Sequence, residues 1–152
     1  MATRKSKEYY ITKAREMCAA EGKGKNIRMS GQLVPHLDFL RVQEVENFIV
    51  VTVDGAHRMK NIHTITSGIL NKTIVHPREV FRPAIVDRSA AIFLVHNHPS
   101  GQTSPSDEDR AITKRLASAA EIIGIPILDH IIIPFGEGTD YFSFCDAGES
   151  LA

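Results

Sequence analysis

Residues 6–20 mix polar and apolar positions, with Tyr10, Ala14 and Cys18 recurring every four residues, so a helix ending near Gly22 and Gly24 is expected. The pattern then changes period. After a loop through Pro35, residues 48–53 form a β-branched run that stops at Asp54 and Gly55, a hairpin signal, and residues 59–65 supply the return strand. Residues 73–75 make a further short strand. Pro77 suits the first turn of a helix over roughly residues 78–89. The continuous apolar run 91–95 reads as a strand buried on both faces, and His96 begins where it stops. A loop follows, and Ser106 is placed to cap a helix whose first turn holds Asp107, Glu108 and Asp109. Ile112, Leu116, Ala119 and Ile123 continue the apolar face of that helix until Gly124 and Pro126 break it. Residues 127–133 form another apolar strand, interrupted by Asp129 and His130, and residues 141–144 an edge strand. The small, acidic tail 146–152 is expected to fray.

This order predicts an α/β fold, a mixed β-sheet flanked by helices. The chain divides into an N-terminal helix and basic arm (1–30), one compact domain (31–147) and a short tail (148–152). With 152 residues, 43% of them hydrophobic, a single core needs no crosslinks. Cys18 and Cys145 are the only cysteines, which argues against a disulfide scaffold and a thiolate zinc knuckle and favours a reducing, cytoplasmic setting. No apolar run is long enough to cross a bilayer, and the first residues lack the uninterrupted apolar stretch of a secretion signal, so no membrane partner is expected.

Charge refines this picture only locally. Eighteen Lys+Arg balance eighteen Asp+Glu, which removes a general electrostatic reason for nucleic-acid binding. Residues 1–30 nevertheless carry eight Lys/Arg against three Asp/Glu, a basic arm best read as a solvated helix face. Gly22-Lys23-Gly24-Lys25-Asn26 follows a helix rather than a strand and is a turn, not a phosphate loop.

The informative stretch is Val95-His96-Asn97-His98-Pro99-Ser100-Gly101, followed by Ser104-Pro105-Ser106-Asp107-Glu108-Asp109. Here a strand end delivers two histidines to a loop that leads into an acidic helix turn. Two imidazoles and one carboxylate suit a borderline metal such as zinc, and a fourth position left to water would make the site catalytic. Taken alone, the pair of histidines is weak evidence, and any of Asp107, Glu108 or Asp109 equally suits the positive end of a helix.

These motifs resemble the RadC-like branch of the JAB/MPN family with its JAMM metalloprotease motif. The likeness runs from about Glu44 to the C-terminal region and includes Glu46-Asn47-Phe48, His76-Pro77-Arg78-Glu79-Val80-Phe81, the His96 to Gly101 stretch, Pro105 to Asp109 and Asp129-His130. The resemblance implies the JAB/MPN, cytidine-deaminase-like architecture. It assigns His96, His98 and Asp109 to a Zn2+ ion, Ser106 to the reacting water or carbonyl, and Glu46 to proton transfer. Glu44 competes with Glu46, since strand alternation gives both a similar face. Ser106 can act as helix cap, oxyanion stabiliser or both. Asn97 and Ser100 are expected to shape the loop, with Pro99 and Gly101 fixing its path. His76 has a structural or cleft role, Asp129 and His130 support the site from behind, and His36, His57 and His63 carry no comparable signal.

The expected activity is zinc-dependent hydrolysis of peptide or isopeptide bonds by activated water, with a peptide or protein as substrate. The alternatives are a metal-stabilised nucleic-acid or protein-interaction module and a metal-dependent nuclease. DNA association is the weaker expectation, because the chain has no evident room for the helix-hairpin-helix region found upstream in longer relatives of this family.

Overall fold

The computed structural model describes residues 6–68 and 75–152. Helix α1 (Lys7–Gly22) starts at Ser6, whose hydroxyl accepts from the Tyr9 amide. Ala14 and Cys18 of the predicted stripe pack against the core, while Tyr10 stays exposed. Arg15 Nη1 donates to Thr64 Oγ1 at 2.9 Å, fastening the helix to the sheet.

The expected loop through Pro35 is instead helical: α2 (Ser30–Leu33) runs into a 3-10 helix (Val34–Val42). Leu33, Leu37 and Leu40 recur at helical spacing and are fully buried, and Pro35 sits in the first turn, where its missing N–H costs nothing.

Strand β1 (Glu46–Val53) pairs antiparallel with β2 (Met59–Gly68), which extends beyond the predicted return strand. The hairpin forms, but not as a two-residue turn. Asp54 Oδ1 accepts from the amides of Ala56 and Arg58, and the residue with positive φ is His57 rather than Gly55. Of the strand expected at 73–75, Thr73 and Ile74 lie outside the described residues, and Val75 is a buried residue in a bend. Helix α3 (Pro77–Val86) follows, capped by His76.

Strand β3 (Ala91–His98), helix α4 (Asp107–Ile123) and strand β4 (Ile127–Pro134) form a crossover unit whose two strands are parallel. Gly124, with φ 80°, takes the left-handed conformation that ends α4. A two-residue β5 (Phe142–Ser143) closes a mixed sheet of order β2-β1-β3-β4-β5. The tail does not fray at Glu149. Its carboxylate accepts from Arg110 Nε and Nη2 at 3.0 and 2.8 Å, and its amide bonds Phe144 O.

Strand alternation sorts the core into two layers. Ile49, Val51, Val53, Phe93, Val95, Ile131 and Ile133 pack under Leu33, Leu37 and Leu40 on one face. Phe48, Val50, Ile92 and Leu94 face Val80 and Phe81 of α3 and Ile112 and Leu116 of α4 on the other. Every even-numbered position of β3 therefore points toward α4. No helix among the described residues is long and apolar enough to cross a membrane.

Candidate metal centre

The apolar run of β3 does not end the strand. Extended geometry continues through His98, so His96 and His98 are strand residues rather than loop residues. Their even parity aims both rings at the start of α4. His96 is 1% exposed and stacks on Phe48, its register partner on β1. Pro99 and Gly101 then turn the chain sharply. Gly101 has φ 82°, and its amide bonds His98 O.

Asp109 reaches the same point from the helix. Ser106 caps α4 by accepting from the Asp109 amide at 3.1 Å, and the Ser106 amide donates to Asp109 Oδ2 at 2.8 Å. This reciprocal cap fixes the carboxylate against the imidazoles. Asp109 Oδ1 is 3.2 Å from His96 Nε2, Oδ2 is 3.2 Å from His98 Nε2, and the two Nε2 atoms are 2.9 Å apart. Among the described residues, His96, His98 and Asp109 form a group whose donor atoms lie within 4.8 Å of one another, and they can hold a metal ion. For bonds of 2.0–2.1 Å, a tetrahedral ion separates its ligand atoms by about 3.3 Å, so the spacing fits with small adjustment.

The electrostatics keep Asp109 an anion, the form that ligates a metal. Burial pushes the Asp109 carboxyl up, but the His96 and His98 imidazoles and the Ser106 amide outweigh it and hold the group well below the usual carboxylate range. Burial lowers the His98 pKa, yet Asp109, the Gln102 carbonyl and Glu46 together raise it. His98 Nδ1 lies 2.9 Å from Gln102 O, an obligate acceptor, so the Nδ1 proton is committed there and Nε2 faces the cluster.

Glu46 opens β1 and shares the parity of Phe48, which places it on the site's side of the sheet. It lines an open cleft of about 730 Å³ with His98, Ser106 and Asp109. Glu44 borders the same cleft but is exposed and ion-paired with Lys7 at 2.8 Å. Asn97 does not shape the loop. Fully buried in β3, it accepts from the Asn47 amide at 2.7 Å and donates to Val45 O at 2.9 Å, gripping the backbone on both sides of Glu46.

Behind the histidines, His130 Nε2 is 2.8 Å from His96 Nδ1, and His130 Nδ1 is 2.5 Å from Thr113 Oγ1. Burial, reinforced by His96, holds the His130 pKa well below the usual histidine range, so the ring is neutral. Asp129 points to the opposite face. It accepts from the His130 and Cys145 amides and from the hydroxyls of Ser30 and Ser143, tying β4 to its neighbours.

The remaining histidines lie outside this group. His76 Nδ1 accepts from the Arg78 amide as the cap of α3, a structural role. His63 pairs with Asp87, which also accepts from Thr52, and these bonds tie the end of α3 to the sheet. The structure adds Thr113 and the Asn97 grip to the site. Thr113 had a usable signal, because it lies one turn after Asp109 on the same face of α4.

A family profile described as RadC-like JAB domain matches residues 28–149. A UPF0758 protein of Trichlorobacter lovleyi is 50% identical over 109 residues, covering 72% of this chain and 46% of that protein. A UPF0758 protein of Rubrobacter xylanophilus is 42% identical over 137 residues, covering 89% and 59% respectively. One from Methanosarcina barkeri is 43% identical over 109 residues, covering 72% and 46%. The chain spans about half the length of the curated relatives it matches.

Proposed function

The chain belongs to the RadC-like JAB domain family, and from that premise we propose that it is a zinc-dependent metallohydrolase that cleaves peptide or isopeptide bonds. One observation carries the reading: two imidazole nitrogens and a carboxylate converge at the edge of a cleft that Glu46 and Ser106 also line. A structural metal needs no such opening, whereas a catalytic one needs a position left to substrate.

His96, His98 and Asp109 would hold the ion, which when bound supplies Lewis-acid polarisation of a carbonyl and acidification of water. Glu46 then accepts a proton from the attacking water and returns it to the leaving nitrogen. Its place at the start of β1, outside the three ligands, suits a base that must stay free of the metal. The Ser106 oxygen already accepts from the Asp109 amide, so its own proton is available to the cleft, where it steadies the negative charge that develops on the carbonyl oxygen. The cap and the catalytic contribution use opposite ends of one hydroxyl.

The substrate class follows from the acyl reaction and from a cleft that carries Glu44, Glu46, Glu108 and Asp109 but, among the described residues, no Lys or Arg, a lining that disfavours a polyanionic substrate. A polypeptide presents the amide carbonyl that this arrangement polarises, and the described residues bring together one group of ligands rather than a pair of metal positions of the kind used for phosphoryl transfer. The test is Glu46→Gln, with zinc content and turnover measured in parallel on a panel of peptides and ubiquitin-like conjugates. Zinc retention with turnover reduced at least about 100-fold is expected. Equal turnover in the two proteins would remove Glu46 from the mechanism.

A further inference from the structure

The two histidines end on different kinds of partner. His98 Nδ1 faces the Gln102 carbonyl, which accepts only. His96 Nδ1 instead faces another ring, His130, and that ring ends on the hydroxyl of Thr113, which both accepts and donates. Thr113 Oγ1 also lies 2.7 Å from Asp109 O, one helical turn back. The chain of contacts therefore starts at the backbone of Asp109 and returns, through Thr113, His130 and His96, to the Asp109 side chain.

Two directions satisfy this chain, with one proton on each of the three groups in either case. In the first, Thr113 donates to His130 Nδ1, His130 Nε2–H donates to His96 Nδ1, and His96 presents an Nε2–H to His98 and Asp109. In the second, Thr113 donates to Asp109 O and accepts from His130 Nδ1–H, His130 Nε2 accepts from His96 Nδ1–H, and His96 presents a bare Nε2. Only the second direction leaves a lone pair for a metal ion.

We infer that Thr113, acting through His130, is a positioning residue that sets which nitrogen of His96 carries the proton and so makes His96 a metal ligand. The inference rests on the metal-centre reading above. The hydroxyl is the required group because it accepts from His130 while giving its own proton to a carbonyl. A valine has the same shape and does neither. With valine at 113, His130 Nδ1 faces a methyl group, the ring keeps its proton on Nε2 to donate to His96, and His96 is left with the wrong tautomer.

The test compares wild type, Thr113→Val and Thr113→Ser, all as the full chain. Zinc affinity is measured by competition with a chromophoric chelator, and the His96 tautomer by 15N imidazole NMR of metal-free and zinc-loaded protein. Thermal melts of the metal-free forms check the fold. Thr113→Val is expected to bind zinc about 10–100-fold more weakly, with His96 carrying Nε2–H in the metal-free protein, while Thr113→Ser recovers wild-type affinity. Equal zinc affinity in wild type and a folded Thr113→Val protein overturns the relay alone. A wild type that binds no zinc overturns the metal-centre reading, and the relay with it. If Thr113→Val fails to fold, metal-free wild type with the proton on His96 Nδ1 supports the relay, and metal-free wild type with the proton on His96 Nε2, or a lowered affinity in folded Thr113→Ser, contradicts it.

Discussion

Replacing Asn97 with alanine separates the positioning of Glu46 from the holding of metal. Asn97 lies between the two candidate ligands in sequence, but strand alternation turns its side chain to the opposite face. There it bonds the Asn47 amide at 2.7 Å and Val45 O at 2.9 Å. Truncation strands the buried Asn47 N–H, at about 1–3 kcal/mol. The Val45 carbonyl adds little, since it keeps Asn47 Nδ2 at 3.0 Å and belongs to an exposed residue. A loss of about 1–3 kcal/mol leaves the protein folded, because domains of this kind are stable by about 5–15 kcal/mol. The larger effect falls on turnover. Glu46 loses the clamp on both sides of its backbone, and a drift of about 1 Å in a reacting group costs about 100-fold. Urea denaturation gives the stability change, chelator competition the zinc affinity, and single-turnover assays the chemical step. The expected outcome is a modest fall in stability, unchanged zinc affinity and a drop in turnover of about two orders of magnitude. Turnover that falls only in proportion to lost zinc would refute the clamp.

Three further outcomes follow from the same geometry. Glu44→Gln, which breaks only an exposed pair with Lys7, is expected to leave turnover and zinc content unchanged, and a loss of turnover comparable to that of Glu46→Gln would reverse the assignment of the two glutamates. Leu116→Ala removes a fully buried side chain between α4 and the sheet and is expected to cost about 2–5 kcal/mol by chemical denaturation. Burial raises the Asp87 pKa, but bonds from Thr52 and His63 outweigh it and hold it below the normal value, so its stabilisation is present above about pH 4 and is lost as the pH falls through the folded pKa. Asp87→Asn is accordingly expected to be less stable at pH 7 and to show a shallower acid limb in stability against pH, and an unchanged limb would contradict that reading.

Much of the fold is legible where one local rule dominates. The apolar run of β3, the serine cap of α4 and the glycine after it each follow from a single signal, and the structure uses all three. The helical segment 30–42 was obscured because Pro35 reads as a loop residue, although the leucine spacing around it is helical. The end of β3 is hidden in the sequence for a related reason. Polar residues after an apolar run look like a loop, yet here His96, Asn97 and His98 find partners on both faces and the strand continues. The three candidate ligands and Glu46 stand out in the sequence by motif, but their supports do not. Asn97, Thr113 and His130 act across 17 to 52 residues of chain, and only the pairing of β3 with β1 and β4 brings those partners together. Asp129 and His130 are neighbours in sequence, but strand alternation separates them, His130 toward the site and Asp129 toward the structural tie with Ser30 and Ser143.

The proposed site holds one metal ion between three side chains and stays open to substrate. A crystal of zinc-loaded protein, with anomalous differences recorded on both sides of the zinc edge, tests it most directly. A single peak bonded to His96 Nε2, His98 Nε2 and the Asp109 carboxylate, with a fourth position facing Glu46 and Ser106, is expected. A peak elsewhere, or a fourth protein ligand closing that position, would contradict it.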